Sequence, residues 1–391
     1  MTRQVFQATI PQTDPSASYF AYQRPIDAAV NRVLAGGSYI LGREVAAFEA
    51  AFAEFLGVAH AVGCANGTDA IELALRVCGI GAGDLVFTVS QTAVATVAAI
   101  ERAGATAVLV DVEPGTYTMA PHELLRTLKS PFPGRPAAVV PVHLYGEPAD
   151  LSPICEAARV YGLRVIEDCA QSHGALYRGR PTGSFGDIGC FCFYPTKNLG
   201  AFGDAGMAVS NDAGLASAMH EIREYGWRER YVSARVGINS RLDPVQAAIL
   251  GVKLLNLAED NARRQRIASR YDVGLSGLPL ALPVRRPDAV HVFHQYVVRL
   301  AERDALREYL NAQGISTGIH YPLPVHLQPA YRNRIAAGPS GLGVSERAAR
   351  QILSLPIYPQ LSDQMIDRVI SGVRAFFGSD KAAARAPPSA D

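Results

Sequence analysis

The sequence predicts an α/β protein: a mostly parallel central sheet sandwiched by helices, followed by a smaller α+β domain at the C-terminal end. Two observations carry this expectation. Between about residue 25 and residue 210, short apolar segments alternate with helical stretches of about 10–15 residues, the pattern of parallel strands covered on both faces. From about residue 240 that alternation stops and longer amphipathic stretches take over. The length, 391 residues of which 49% are hydrophobic, suits two domains with real cores.

The elements follow in order. DAAVNRVLAGG reads as a helix ending at Gly36–Gly37, and REVAAFEAAFAEFLG as another, stopped by Gly57. Strand-like AHAVGC runs through Ala65-Asn66-Gly67 into helical TDAIELALRVCGI. DLVFTVS is a strand, TAVATVAAIERAG a helix and TAVLVDV a strand. AAVVPVHLY, the helix LSPICEAARVYG and the strand LRVIEDC complete the alternation. RLDPVQAAILGVKLLNLAEDNARRQRIASRYDVGL then reads as one long amphipathic helix. HVFHQYVVRL, RDALREYLNAQG and a final helix near SDQMIDRVISGVRAFFG supply the smaller domain. The expected division is a large domain over 1–245, including an N-terminal arm, and a small one over 246–378. Residues 379–391, polar and rich in Pro and Ala, are expected to be disordered.

Composition excludes several function classes. A net charge of +1 leaves no basic surplus, so nucleic acid is not expected as the main partner. No apolar run approaches the ~18 residues of a membrane span, and the start lacks an apolar signal core, so a cytoplasmic protein is expected. The six cysteines contain no CxxC pair, which favours free thiols over disulfides or a zinc cage, and no metal is expected. GIGAGD follows a helix and precedes a strand, the reverse of a dinucleotide loop, and reads as a helix-ending turn.

Ligands of such sheets sit beyond the carboxyl ends of the strands, so the residues just after each strand are the candidates. Asn66-Gly67-Thr68-Asp69 stands between a strand and a helix, where Thr68 or Asp69 would cap the helix and free amides would cradle a phosphate. Glu167-Asp168 closes the strand LRVIED, and either acid could act as base, ligand or partner of a protonated ring nitrogen. Lys197 follows an aromatic strand and a proline and precedes a Gly-rich turn, surroundings that suit imine chemistry. A phosphate cradle, an acid and a lysine are the parts pyridoxal phosphate needs.

With these motifs in place, the sequence closely resembles the DegT/DnrJ/EryC1/StrS sugar aminotransferases, pyridoxal-phosphate enzymes of fold type I. The likeness runs from GSYILGREVAAFEAAFAEFLG through NGTDA, PVHLYG, EDCAQSHGA, FCFYPTKNLGAFGDAG and NSRLDPVQAAIL to HYPLP and SLPIYP. The resemblance implies that Lys197 holds the cofactor aldehyde as an imine and shuttles the proton. Asp168 would pair with the pyridine nitrogen and Gln171 with the ring hydroxyl, while Gly67, Thr68 and Asp69 hold the phosphate. Asn239 and Arg241 would reach the cofactor or substrate of a neighbouring subunit, implying a homodimer with shared sites. His320 and Tyr321 would line the nucleotide-sugar pocket. Two departures stand out: Cys192 replaces a usual Ser on the phosphate, and Ala93 replaces a stacking aromatic, so that either Tyr194 or Tyr145 substitutes or aliphatic groups cover that face of the cofactor.

The implied reaction transfers an amino group from an amino acid, L-glutamate by family habit, to a keto group of a nucleotide-linked deoxysugar. NSRLDPVQAAIL and PVHLYG are more similar to the branch acting on dTDP-3-keto-6-deoxyhexoses than to the 4-keto branch; a keto-inositol is a third substrate class. A sister sugar dehydratase would carry His in place of Lys197. A non-catalytic regulatory protein of this fold would have lost Asp168, Gln171 or Lys197, and all three are present.

Overall fold

The computed structural model describes residues 9–378; the expectations for the extreme N-terminus and for the 379–391 tail lie outside them. The chain opens with α1 (Pro15–Ala21), α2 (Gln23–Gly36) and α3 (Arg43–Leu56). Alternation follows: β1 (His60–Cys64), α4 (Gly67–Val77), β2 (Asp84–Val89), α5 (Val94–Arg102) and β3 (Thr106–Val110). Then come α6 (Pro121–Leu128), β4 (Arg135–Val139), α7 (Leu151–Tyr161) and β5 (Arg164–Asp168). Short β6 (Leu176–Tyr177) and β7 (Arg180–Pro181) lead to β8 (Ile188–Cys192), β9 (Gly206–Ser210) and α8 (Ala213–Ile222). The hairpin β10 (Trp227–Glu229) and β11 (Val232–Ser233) precedes α9 (Pro244–Leu254) and α10 (Leu257–Gly274). The C-terminal part holds β12 (Ala289–Val290), β13 (Tyr296–Arg299), α11 (Arg303–Ala312) and β14 (Ala336–Ala337). It ends with α12 (Gly343–Gln351), β15 (Ile352–Leu355) and α13 (Asp363–Gly378).

The large sheet has the order β1-β9-β8-β5-β4-β2-β3-β14. Pairing is parallel from β14 through to β8, and only β9 runs against the rest. Every residue of β2 is buried, which explains why DLVFTV shows no polar alternation: both faces of the sheet are covered. On one side Leu73, Leu75, Val97, Ile100 and Met219 form a continuous core; on the other, Leu124, Leu144, Leu151 and Ile154 do so. A third core, with Tyr271, Tyr296, Leu306, Leu353 and Val369, surrounds the β13–β15 pair.

The stretch expected to be one long helix is two. α9 packs on α2 and α3, whereas α10 contacts α13, so their apolar faces answer to different layers. The chain turns at Leu255, which is 87% exposed, and the Asn256 side chain takes the Val252 carbonyl at 3.1 Å, a local bond that competes with helix continuation. Residue 245 therefore lies inside α9. We propose that the smaller domain begins at α10, with β14 reaching back to the large sheet.

Candidate active site

All strands of the large sheet except β9 point the same way, so their carboxyl ends share one edge. The chain leaving those ends supplies the site.

β1 ends at Cys64, and Asn66 caps α4: its Oδ1 accepts the Asp69 amide at 2.8 Å. The cap is thus Asn66 rather than Thr68 or Asp69, because the extended backbone of Asn66 aims its short amide at the first turn. The amides of Gly67 and Thr68 lie where no helix carbonyl can reach them, and the helix dipole adds positive potential there. Asp69, expected on the phosphate, turns away. Its carboxylate accepts from Arg102 Nη1 at 2.9 Å and from Ser240 Oγ at 2.7 Å, which ties α4 to its neighbours. Behind the turn stands Cys192: a Cβ on Gly67 would fall 2.4 Å from the Cys192 Cβ, so glycine alone permits this approach. The cup formed by Gly67, Thr68 and Cys192 fits a phosphate group.

The two acids at the end of β5 have opposite surroundings. Glu167 is wholly buried. Its oxygens accept from the amides of Gly183, Phe185 and Gly186 at 2.7–2.8 Å and meet His143 Nε2 at 3.1 Å. Burial alone would push its carboxyl up, but the His143 hydrogen bond and the backbone amides outweigh it and hold the pKa below the usual range. His143 Nδ1 accepts the Ala149 amide at 3.0 Å, so this histidine is structural. Cys169 lies beside this pair, but Glu167 and His143 are already fully engaged. Asp168 faces the other way, as the twofold alternation of a strand requires. Its Oδ2 accepts from Thr96 Oγ1 at 2.8 Å and its Oδ1 from the Ala170 amide at 3.1 Å. Gln171 Oε1 accepts the Tyr145 amide at 2.7 Å, which aims its amino group at Tyr321 Oη, 3.2 Å away.

β8 carries the chain to Lys197. Its flank is held by Phe193, which packs edge-on against Phe48 and Phe52 at 5.4 Å between ring centroids, each pair contributing about 0.5–1.5 kcal/mol. The Lys197 amide bonds the Tyr194 carbonyl at 2.8 Å. A Cβ on Gly200 would strike the Pro195 carbonyl oxygen at 2.5 Å, so only glycine closes this turn. Among the described residues no side chain accepts from Lys197 Nζ. Three imidazoles surround it instead. Burial, then the Lys197 charge, pushes His173 down to about 3 and His320 to about 4, and holds His294 well below its usual value. His294 Nδ1 meets Asn198 Oδ1 at 3.3 Å, while Asn198 donates to Asn261 Oδ1 and the Val292 carbonyl. His320 Nδ1 bonds Ser354 Oγ at 2.8 Å.

The structure therefore brings Gly67, Thr68, Asp168, Gln171, Cys192, Lys197, His320 and Tyr321 to one edge. Asn239 is exposed and Arg241 lies 3.8 Å from Glu224; only Ser240 between them reaches the cradle, through Asp69 and the Ala65 amide. Tyr145 is buried edge-on to Tyr117, with its hydroxyl on the His320 carbonyl, and Tyr194 is 52% exposed. Arg223 is buried on Glu49 and the Gly63 carbonyl, and the chain beyond it forms the β10–β11 hairpin. Thr96 and His294 were missed from the sequence. Their partners lie 72 and 96 residues away, so no local signal marks them.

The family model of the DegT/DnrJ/EryC1/StrS aminotransferases matches residues 22–374. The chain belongs to that family. This aminotransferase is 46% identical over 367 residues to dTDP-3-amino-3,4,6-trideoxy-alpha-D-glucose transaminase of Streptomyces venezuelae, covering 93% of this chain and 95% of that protein. It is 43% identical over 367 residues to dTDP-3-amino-3,6-dideoxy-alpha-D-galactopyranose transaminase of Aneurinibacillus thermoaerophilus, covering 94% and 99%. The crystal structure of S. venezuelae DesV in complex with a ketimine intermediate superposes with a TM-score of 0.91 at 45% identity, over 95% of this chain and 99% of that one. A Bacillus subtilis structure with bound cofactor PMP superposes at 0.88 and 27% identity, covering 97% and 87%. No helix among the described residues is long and apolar enough to cross a membrane.

Proposed function

We propose that this aminotransferase uses pyridoxal phosphate to move an amino group from L-glutamate to a nucleotide-linked keto-deoxysugar, a dTDP-3-keto-6-deoxyhexose, in the cytoplasm. One observation carries the reading: Lys197, with no side-chain acceptor among the described residues, shares a sheet edge with Asp168 and with the Gly67–Thr68 phosphate cup. When bound, pyridoxal phosphate supplies an aldehyde for an amine and a ring that withdraws electrons from the adjoining carbon.

The chain's residues divide the remaining work. Gly67 and Thr68 offer amides to the phosphate, with Cys192 closing the cup. Asp168, oriented by Thr96 and the Ala170 amide, holds the proton on the ring nitrogen. Gln171, fixed by the Tyr145 amide, presents its amino group to the ring hydroxyl. Lys197 Nζ takes up and returns the proton exchanged between cofactor and substrate carbons. The neighbouring imidazoles stay neutral, which leaves that lysine as the proton carrier. His320 and Tyr321 face the sugar. Asn239 and Arg241, turned away from this chain's cup, serve the second site of a homodimer. The relatives whose names specify 3-amino dTDP-sugars support amination at C3.

Absorption spectroscopy tests the reading. Adding pyridoxal phosphate should produce a visible band that L-glutamate bleaches and that a 3-keto dTDP-sugar restores faster than a 4-keto one. Lys197→Ala should give no such band at an unchanged melting temperature. A band in that variant identical to the wild type's would overturn the assignment of the lysine.

A further inference from the structure

Tyr321 and His320 lie on a segment, 318–324, that has no regular structure of its own. Its upstream end is held where Gly318 and Ser354 exchange backbone hydrogen bonds at 3.0 and 2.8 Å. Its downstream end is held by one backbone bond and by a side-chain relay. The Val325 amide bonds the Ser90 carbonyl at 3.1 Å and the His326 amide reaches Ser90 Oγ at 3.3 Å. Ser90 Oγ stands 2.7 Å from His326 Nδ1, and His326 Nε2 stands 3.2 Å from Glu346 Oε1.

The proton directions follow from these contacts. Ser90 Oγ accepts from the His326 amide, so its own hydrogen goes to Nδ1; the ring then carries its hydrogen on Nε2 and donates to Glu346. The order serine, histidine, acid is that of a hydrolytic triad. Ser90, however, has no exposed surface, so it cannot meet a substrate carbonyl. Both ends of the relay are anchored to the sheet edge. Ser90 directly follows β2, and Glu346 sits on α12, whose first turn is capped by Asp111 after β3. That carboxylate accepts the amides of Val344 and Ser345 at 2.8 and 2.9 Å and Ser345 Oγ at 2.7 Å.

We propose that His326, with Ser90 and Glu346, is a positioning residue that sets Tyr321 over the sugar side of the site. The proposal rests on the aminotransferase reading. Gln171 keeps its own anchor on the Tyr145 amide, and Asp168 and Lys197 have none in this segment. Releasing the relay therefore loosens the downstream side of the segment, so that Tyr321 is held only by the Gln171 amino group and by the anchors of its neighbour His320, while the cofactor's floor stays in place.

The test compares the two half-reactions in the holoenzyme for Ser90→Ala, His326→Phe and the double variant. Bleaching of the cofactor band by L-glutamate, without sugar, should stay within about twofold of wild type, while KM for the keto-sugar rises roughly tenfold. The double variant should be no worse than either single, since one relay is broken in each. His326→Asn, whose oxygen can still accept from Ser90, should recover part of the loss. A KM that does not move, bleaching that slows in step with it, or fully additive losses would overturn the proposal. A wild-type protein that forms no band defeats the aminotransferase reading itself, before any variant is compared.

Discussion

At the ends of β1, β5 and β8, the floor of the site is set mainly by bonds between near neighbours in the chain, with Thr96 on Asp168 the long-range exception. Asn66 caps its own helix, Asp168 takes the Ala170 amide, and Lys197 sits in a turn closed on Tyr194. The opposite wall is set by distant partners: His294 with Asn198, Tyr321 with Gln171, His326 with Ser90. Local bonds let the floor be recognised as motifs. The wall exists only once the C-terminal part has docked, and its groups are tuned by burial rather than by spacing.

Two neighbouring acids within the floor give the largest expected effects. Asp168→Asn should lower turnover by about 10²–10³-fold, the scale of a lost electrostatic partner in a preorganised site, at nearly unchanged stability. Glu167→Ala should do the converse. It strips a buried carboxylate from His143 and three amides, costing about 3–5 kcal/mol of stability, while protein that stays folded keeps most of its turnover. Steady-state rates paired with denaturant unfolding of both variants check this; equal losses of activity would erase the distinction between the two acids.

The wall should reveal itself through acid. His173 and His320 are pushed down to about 3 and 4 by burial, and His294 is held well below its usual value, against about 6.5 unfolded. Below that unfolded value the denatured chain binds protons that the native one does not, so stability falls as pH drops from about 6.5 toward 4. The loss should be at least about 1 kcal/mol per pH unit, read from thermal melts at pH 7, 6 and 5. A flat profile would mean that these rings are not held neutral.

The smallest effect belongs to the cup. Cys192→Ser replaces a weak donor with a good one and should tighten pyridoxal phosphate binding severalfold, about 1 kcal/mol. Cofactor titration of the apoprotein measures it, and weaker binding would place Cys192 away from the phosphate.

The alternation of strands and helices, the lysine after an aromatic strand and the turn at Gly67 were all legible in the sequence. Each is written within a dozen residues, where backbone geometry and hydrophobic period act directly. Residue pattern alone left open which of Glu167 and Asp168 faces the site, and the choice of Asp168 came from the family resemblance. Nor did the sequence show that Asp69 turns toward Arg102, that the helix after residue 243 breaks at Leu255, that Thr96 meets Asp168 and His294 meets Asn198, or that His326 links Ser90 to Glu346. Those outcomes depend on what each side chain meets across the sheet edge, often 70 or more residues away. Burial and hydrogen-bond matching are properties of the packed chain, so only the tertiary structure could decide them.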